Sequence, residues 1–345
     1  MSHGFARHGL AVTPPSGAGG AWVRPSDWLA LTTPDISEQK IVGLHAVLPG
    51  NNWVAFTLSG AYTVDWGDGT TENFAAGVTA YRNLAWSSYN TSTLTARGYR
   101  QAIITITPQS GHNITSWNFL VKHNQPGLSN GYSTGWLDMR LCTPHVTSRT
   151  YSGSAGQVWH RMIEKWQQID TSAVTSAYQM FYGCSSLQSV TLDTSAVTDT
   201  SEMFSNCSSL QSVTLDTSAV TSTSWMFYGC SSLQSVTLDT SAVTSTSQMF
   251  ANCSSLQSVT LDTGAVTNAS SMFNGCPSLQ SVILTGLTRG VSVAYASLSP
   301  AALDALYTSL GTAAGSQTIT VSGNYGTTGD DPSIATSKGW TVSGS

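Results

Sequence analysis

The feature that most constrains this chain is an internal repeat. Five copies of a 23-residue unit follow one another without gaps from Asp170 to Leu284, and the third copy reads DTSAVTSTSWMFYGCSSLQSVTL. Near-identity at a fixed period indicates a stack of small structural units, none of which can bury its apolar residues alone. The sequence therefore predicts a solenoid in this half of the chain.

Each copy contains one short strand pattern. In the first copy the segment from Leu187 to Leu192 places Leu187, Val190 and Leu192 on the inner side, and Ser189 and Thr191 on the outer side. We expect these strands to stack in parallel at about 4.8 Å per copy. We also expect core residues from the opposite side of each coil, represented in the second copy by Val197, Met203, Phe204 and Cys207.

The residue before the cysteine of each copy is restricted to two types. Only Gly and Asn occur there, at Gly183, Asn206, Gly229, Asn252 and Gly275. These two residues tolerate the left-handed backbone region, so the pattern predicts a turn with positive φ.

The cysteines of the copies form one column, Cys184, Cys207, Cys230, Cys253 and Cys276. Their spacing differs from that of zinc sites, and an odd number cannot all pair. Equivalent thiols in stacked coils also lie slightly too far apart for disulfides. We therefore expect buried, reduced cysteines, with Cys142 outside the column and also in a core.

A second column consists of acids, Asp170, Asp193, Asp216, Asp239 and Asp262. One interpretation is a row of calcium sites, but calcium takes six to eight oxygen ligands and no second carboxylate column is present. The favoured interpretation is that each carboxylate caps the turn after its strand.

The remainder of the chain divides into four segments. Residues 1–36, with the Gly/Pro-rich run from Pro14 to Gly20, are predicted to be an arm that acts as a linker or docking segment. Residues 37–125 show strand patterns and predict a small β-sandwich. Residues 126–169 and 285–345 are predicted to cap the solenoid. The expected fold class is thus α+β, mostly β: a sandwich followed by a capped solenoid over residues 170–284.

Individual elements can be assigned within these segments. The predicted strands in front of the repeats are Ile41–Val47, Val54–Leu58, Tyr62–Trp66, Ile103–Thr107 and Trp136–Leu141. Amphipathic spacing predicts helices over Val158–Gln168 and, from the N-cap Ser299 to Gly311, after the repeats. A strand at Thr318–Val321, a helical turn after Asp331-Pro332 and a strand at Trp340–Val342 complete the predicted cap.

Charge restricts the possible partners. Only 9% of the residues are charged, and the repeats hold seven acids and neither Lys nor Arg. Such a surface cannot neutralise phosphates, which excludes nucleic acid as the partner of the repeats. No apolar run is long enough for a membrane span. The N-terminal residues lack the pattern of a secretory signal, so we expect a protein made in a cytoplasm, as virion proteins are.

Motifs with catalytic chemistry are missing. None of the seven histidines has metal-ligand spacing with Cys, Asp or Glu, and no nucleophile or phosphate-loop motif occurs. Asp65 and Asp68 resemble a glycosidase pair, but they fall in an Asp-Gly turn pattern. We therefore predict no catalytic residues, no metal, no cofactor and no enzymatic activity.

Two resemblances are specific and a third is shorter. The repeat, with its DTSAVT and Met-Phe-x-x-Cys-x-Ser-Leu motifs, closely resembles bacterial-surface leucine-rich repeats of the BspA-like type, although it is shorter between Leu192 and Asp193 than that family usually is. The segment from Tyr62 to Thr70 resembles the WGDG signature of PKD-type sandwiches, which are extracellular spacer and adhesion modules. The ending IATSKGWTV is similar to the C-terminal caps of repeat proteins encoded by bacteriophages.

These resemblances together imply surface recognition without catalysis. The leading prediction is a virion-associated fibre, adhesin or decoration protein. It would assemble with other virion or surface proteins through its N-terminal arm, form homo-oligomers and bind a host-surface protein or glycan. The alternative is a bacterial cell-surface adhesin or extracellular matrix filament. A minor alternative is an ice-binding solenoid, since Ser189 and Thr191 and their equivalents form a Ser-x-Thr array.

The contact surface is predicted from the positions that differ between copies. Variation concentrates just before and just after the Met-Phe pair, where it places four aromatic residues on one edge: Tyr178, Tyr182, Trp225 and Tyr228. Aromatic side chains offer large contact area at low entropic cost. The competing interpretation is that these rings only cover the front domain or pack between subunits.

Overall fold

A computed structural model provides the structure of the chain. It describes residues 23–35, 37–50, 52–119, 135–146, 148–150, 162–168 and 174–344, with only the backbone for residues 148–150. Strands dominate the described part, which also holds two α-helices and three short 3-10 helices, and none of these helices is long and apolar enough to cross a membrane.

The regular elements are numbered in chain order. The strands before the repeats are β1 (Lys40–Val47), β2 (Trp53–Leu58), β3 (Tyr62–Asp65), β4 (Thr71–Phe74), β5 (Thr79–Asn83), β6 (Arg100–Pro108), β7 (Ser116–Asn118), β8 (Trp136–Cys142), β9 (Ser148–Thr150) and β10 (Lys165–Gln168). The strands in the repeats and after them are β11 (Ser189–Leu192), β12 (Ser258–Asp262), β13 (Ser281–Thr285), β14 (Val291–Ser292), β15 (Gln317–Thr320) and β16 (Trp340–Ser343). The helices are α1 (Pro300–Ser309) and α2 (Ser333–Thr336).

The front part of the chain contains two sheets. One has the order β11-β10-β8-β1-β6-β3-β4, and the other has the order β5-β2-β7-β9. Aromatic rings from both sheets meet in one core. The ring centroid of Phe56 on β2 lies 6.1 Å from that of Trp66, which directly follows β3, and 5.6 Å from that of Phe119. The strands predicted for this region are confirmed, with β6 beginning three residues earlier than Ile103.

The larger sheet continues directly into the solenoid. Strand β8 pairs antiparallel with β1 and parallel with β10, and β10 pairs parallel with β11 in the first repeat. The helix predicted over Val158–Gln168 is therefore wrong at its end, because Lys165–Gln168 is strand β10, with Trp166 and Gln168 buried and Lys165 and Gln167 half-buried. Burial thus alternates along β10 as it does in a strand. Pairing with β10 satisfies the backbone hydrogen-bonding groups at the edges of its neighbours, and this gain outweighs the helical spacing of the apolar residues. Residues 158–161 of that prediction lie outside the described residues.

The segment from residue 23 to residue 35 is packed against the front sheet. Trp28 is buried and donates from its indole nitrogen to the Tyr99 hydroxyl at 2.8 Å. Arg24 forms an ion pair of 2.9 Å with the buried Asp138 on β8. This part of the predicted N-terminal arm is thus packed on its own chain, and residues 1–22 lie outside the described residues.

The coils of the solenoid stack through an aromatic column. The rings of Phe181, Phe204, Phe227, Phe250 and Phe273 are nearly parallel, with successive centroids 5.4, 5.6, 5.7 and 5.8 Å apart. Met203, Phe204 and Cys207 are buried, as are their equivalents in the other coils. The burial predicted for these columns is thus confirmed.

The strand side of the solenoid is less regular than five continuous strands. Where pairing occurs it is parallel and offset by one repeat, as in Val259 with Val282 of strands β12 and β13. The equivalents in the second and third coils make one isolated bridge, Thr214 with Thr237. The coils keep their spacing there because the phenylalanine column and backbone hydrogen bonds hold them from the opposite side.

The C-terminal end closes the solenoid as predicted. Helix α1 begins after the N-cap Ser299, whose hydroxyl accepts a hydrogen bond from the backbone N–H of Ala302 at 3.2 Å, and Pro300 is its first residue. The helix lies against β13, where the Leu284 N–H donates to the Ser309 hydroxyl at 3.0 Å. Strands β14, β15 and β16 then form a small parallel sheet.

Candidate contact surface

Each coil contains two residues in the left-handed region, four positions apart. The second is the predicted Gly or Asn before the cysteine, with φ between 62° and 74° in all five coils. The first was not predicted, because ordinary residues occupy it with φ between 52° and 59°: Gln179, Glu202, Trp225, Gln248 and Ser271. A non-glycine residue in this region costs roughly 1–2 kcal/mol. The stacked coils must therefore impose the conformation.

Backbone hydrogen bonds between coils impose this conformation. The N–H groups of Gln179, Phe181 and Gly183 donate to carbonyls of the next coil at 3.1, 2.8 and 2.7 Å. Within the same coil, the N–H of Tyr182 donates back to the carbonyl of Gln179 at 3.1 Å. The segment is thus fixed from both sides. Its Met and Phe side chains are buried, whereas the flanking variable positions include half-buried and exposed residues.

All four aromatic residues of the predicted contact surface lie on this edge. Tyr178 is 47% exposed, and Tyr182, Trp225 and Tyr228 are half-buried. The structure brings Trp225 and Tyr228 together in the third coil, with ring centroids 4.8 Å apart and planes inclined by 43°. Tyr178 and Tyr182 belong to the first coil. We call these four residues the aromatic edge.

A carboxylate lies on the coil between the two aromatic pairs. The Glu202 side chain accepts a hydrogen bond of 2.8 Å from the Gln179 amide and one of 3.3 Å from the Tyr178 hydroxyl. Partial burial and the negative charge of Glu202 both raise the pKa of Tyr178, which keeps its hydroxyl protonated as a donor. Sequence reasoning did not assign Glu202 to this surface. The only signal was its place in the variable pair before Met203.

Small residues separate the large ones along the edge. Ser205 and Ala251 are buried, and they occupy the positions equivalent to Tyr182 and Tyr228 in alternate coils. The next residue in each coil alternates between Gly and Asn. A Cβ atom added to Gly229 would lie 2.7 Å from the Asn206 side-chain oxygen of the previous coil. Large and small residues thus alternate over the first four coils at the position of Tyr182 and Tyr228, and the fifth coil has Asn274 there.

The acidic column is used to cap turns. The carboxylates of Asp193, Asp216 and Asp239 each accept a backbone N–H at 3.0 Å and a serine hydroxyl at 2.7 Å, both from the residue two positions later. Asp262 accepts the N–H of Gly264 at 3.1 Å. The capping role predicted for these four acids is confirmed, and Asp170 lies outside the described residues. Within the described chain, no group of three His, Cys, Asp or Glu side chains is placed to hold a metal ion.

The carboxylate pair in the front part also has a turn role. The Asp65 side chain accepts the N–H of Gly67 at 2.9 Å. Asp68 accepts the Thr70 hydroxyl at 2.6 Å and pairs with Arg82 at 2.6 Å. Partial burial raises the pKa of Asp68, but the Thr70 hydrogen bonds and the Arg82 charge outweigh it, so the pKa is lowered. A general acid requires a raised carboxyl pKa, so the lowered pKa of Asp68 does not suit that role.

The hydroxyl face of the solenoid lies on the strand side. Thr191, Thr214, Thr237 and Thr260 are exposed there. A shallow cleft lined by residues 188–192 and 212–214 opens between the first two coils, where β11 belongs to the front sheet. This break interrupts the hydroxyl array between the first two coils. Regularity over several coils is what an ice-binding surface would need.

The comparisons with known proteins concern the repeats. Residues 175–295 match a family model described as BspA type leucine rich repeat region, in six copies. The match begins inside the first of the five copies defined above and extends past Leu284 into the cap. A search of curated proteins found no match. The repeat region is therefore of the BspA type, a surface repeat family that typically serves adhesion or protein recognition.

Proposed function

We propose that this chain is a non-enzymatic, virion-associated surface protein, such as a phage fibre, adhesin or decoration protein, which recognises its partner through the aromatic edge. The observation that carries the recognition role is the edge itself: aromatic side chains are concentrated at the variable positions of otherwise near-identical coils. The core and turn positions are occupied by packing and capping, which leaves the exposed and half-buried side chains of the edge as the variable part of the surface.

The front part fits a spacer that supports the solenoid. Its WGDG segment resembles PKD-type modules, and its larger sheet runs without interruption into the first coil. A shared sheet holds the solenoid at a fixed orientation to the front part. We propose a PKD-like sandwich for residues 37–125, the capping segment for residues 126–169, and assembly with other virion proteins and with further copies of the chain through residues 1–36.

The virion location is supported by the resemblance of the ending IATSKGWTV to caps of phage-encoded repeat proteins. The match of the repeats to a bacterial-surface family supports the alternative, a bacterial cell-surface adhesin or matrix filament. Mass spectrometry of purified phage particles and of the bacterial envelope fraction from the same culture separates the two. Peptides confined to the envelope fraction would overturn the virion proposal.

The recognition role is tested with two matched variants. In Trp225→Ala/Tyr228→Ala the third-coil part of the edge is removed, and in Thr214→Ala/Thr237→Ala the strand side of neighbouring coils is changed. Both are assayed for binding to a panel of intact bacterial cells after thermal melting has shown that they fold. We expect the first variant to lose binding and the second to keep it. The opposite pattern would transfer the function to the hydroxyl face.

A further inference from the structure

We propose that the aromatic edge binds a neutral oligosaccharide, with Trp225 and Tyr228 as the platform on which a sugar ring stacks. This inference rests on the proposed function, because it names the ligand class of the same edge. It follows from the shape of the ring pair, the polar groups beside it and the charge of the surrounding coils.

The ring pair is a fixed platform. Trp225 and Tyr228 lie 4.8 Å apart between ring centroids, and both are half-exposed. Their backbone is held by hydrogen bonds from the Trp225 N–H to the Ser247 carbonyl at 2.9 Å and from the Tyr228 N–H to the Trp225 carbonyl at 3.1 Å. Rigid amphipathic rings lose little conformational entropy on binding. A sugar ring presents an apolar C–H face that such a surface can cover.

The polar groups beside the platform suit hydroxyl partners. Glu202 in the preceding coil is held by the Gln179 amide, and its two oxygens retain capacity for further donors. The hydroxyls of Ser201 and Ser222 are 2.8 Å apart, and those of Ser224 and Ser245 are 2.7 Å apart. Carboxylates and hydroxyls of this kind exchange hydrogen bonds with the hydroxyls of a sugar.

The surroundings favour a sugar over a protein. A standard protein interface buries roughly 800 Å² on each partner, and its centre is apolar, rich in aromatic residues and depleted of charge. Here the positions equivalent to Trp225 and Tyr228 in the other coils are mostly polar or small: Gln179, Glu202, Gln248, Ser271, Ser205, Ala251 and Asn274. Isolated rings among hydroxyls and amides match a small ligand with alternating apolar and polar faces.

Charge selects a neutral sugar. The described coils from residue 174 to residue 288 carry six acids and no Lys, Arg or His: Asp193, Asp199, Glu202, Asp216, Asp239 and Asp262. Like charges repel over about 8 Å at physiological ionic strength. A sialylated or sulfated glycan would meet this field without a compensating cation, whereas a neutral glycan would not.

Tyrosine side chains at the same position of alternate coils favour an oligosaccharide over a single sugar. Ring centroids of Phe181 and Phe204 are 5.4 Å apart and those of Phe204 and Phe227 are 5.6 Å apart, so equivalent residues two coils apart are separated by roughly 11 Å. Tyr182 and Tyr228 are equivalent in this sense, and Glu202 lies in the coil between them. A ligand of several sugar rings can reach both.

The experiment uses the full chain and an array of neutral gluco-, galacto- and manno-oligosaccharides with sialylated and sulfated counterparts. We expect binding to neutral members only, increasing with chain length. Trp225→Ala should weaken it at least tenfold, Tyr228→Ala should weaken it to a lesser degree, and Thr237→Ala should leave it unchanged. Competition by the free oligosaccharide against cell binding of the unmodified chain tests the same point without any variant.

Three results would overturn the inference. Neutral glycans that fail to bind, while cell binding still depends on Trp225, would point to a protein partner and leave the proposed function intact. A mass in light scattering that falls on Trp225→Ala substitution would make the edge a contact between copies of this chain. Cell binding that survives the substitution would reject the proposed function itself.

Discussion

The thiol of Cys230 donates a hydrogen bond to the backbone carbonyl of Phe204, one coil earlier, at a distance of 3.1 Å. The same contact links Cys207 to Phe181, Cys253 to Phe227 and Cys276 to Phe250, each at 3.0 Å. The Phe204 carbonyl also accepts the N–H of Cys207 at 3.0 Å within its own coil, and the Phe204 ring is part of the stacked column. Cysteine supplies both apolar volume and a donor at the centre of every coil interface.

Substitution of Cys230 separates these two contributions. Cys230→Ala removes the donor and leaves a small cavity, so we expect a loss of roughly 1–2 kcal/mol in the free energy of unfolding. Cys230→Ser retains a donor to the Phe204 carbonyl and isolates the change in polarity. The measurement is urea unfolding. The five repeat cysteines form no disulfides and are buried, so labelling by a thiol reagent should wait for unfolding, and rapid labelling of the native chain would contradict this burial.

The buried thiols also predict instability at high pH. Burial raises the pKa of Cys184 to about 12 and that of Cys276 to about 11, against about 8.5 for an unfolded thiol. The unfolded chain therefore releases protons that the folded chain retains, and this stabilisation, complete below about pH 8.5, is lost as the pH rises toward 11. Each thiol contributes a slope of about 1.4 kcal/mol per pH unit in that window.

One variant tests how much of this pH dependence of the free energy of unfolding comes from the Cys276 thiol. Cys276→Ser keeps a hydroxyl donor for the Phe250 carbonyl and cannot titrate in this range. Its free energy of unfolding, measured between pH 8 and pH 10.5, should fall less steeply than that of the unmodified chain by the contribution of one thiol. Equal slopes in the two proteins would show that Cys276 ionises freely in the folded state.

The alternation of Asn and Gly before the cysteines predicts a coupled pair. Gly229 has a φ of 71°, and its Cβ position is 2.7 Å from the Asn206 side-chain oxygen. Gly229→Ala should cost roughly 1–3 kcal/mol, from backbone strain and this contact together. Gly98→Ala is the control, because Gly98 has a φ of 82° and open space around it.

A double-mutant cycle then isolates the contact. Asn206→Gly removes the opposing oxygen, so Gly229→Ala in that background should cost about as much as Gly98→Ala. If the cost is the same with and without Asn206, the alternation of the two residue types has another origin.

The sequence predicted the repeated parts of the fold more accurately than its junctions. Comparison of the five copies shows which positions are constant or restricted to two residue types. These positions identified the buried Met, Phe and Cys columns, the turn-capping acids and the left-handed Gly or Asn. The second left-handed residue was invisible because Trp225, Gln248 and their equivalents have no preference for that region. Their conformation is imposed by hydrogen bonds from the next coil, which only the stacked structure reveals.

The junction with the front part was misread for a related reason. Residues around Trp166 have helical spacing, yet they form β10, because the edges of β8 and β11 both need a parallel neighbour. Long-range pairing of this kind leaves no local signal. The aromatic edge was predicted from variation alone, whereas the contact between Trp225 and Tyr228 and the position of Glu202 required the coil geometry.

An ion pair at this junction should contribute strongly to stability. Arg97 of the front part pairs with Glu164, which is buried just before β10. Arg97→Met would leave the buried Glu164 carboxylate without its charged partner and with the Gln188 amide, at 3.4 Å, as its side-chain donor in the described chain, and we expect a cost of roughly 3–5 kcal/mol in the free energy of unfolding. Adding Glu164→Gln should recover part of this loss. Lys40→Met, which breaks the exposed pair with Glu38, should change stability by less than about 1 kcal/mol.

One lysine side chain binds the C-terminal end of helix α1 in the cap. The Lys338 ammonium donates to three carbonyls at the end of helix α1, those of Tyr307 at 3.1 Å, Thr308 at 2.6 Å and Leu310 at 2.8 Å. Its positive charge also interacts favourably with the negative, C-terminal end of the helix dipole. Lys338→Met keeps most of the aliphatic stem and removes the donors, so we expect a loss of roughly 1.5–3 kcal/mol.

The position of this loss can be checked by amide hydrogen exchange. Because a solenoid transmits stability mainly between neighbouring coils, Lys338→Met should increase exchange first in α1 and in β13, against which α1 packs. Protection of the Phe204 and Phe227 amides, two or more coils away, should change less. Lys338→Arg retains the charge with a different donor geometry and should give an intermediate result. Uniform loss of protection over all coils would instead show that the solenoid unfolds as one cooperative unit.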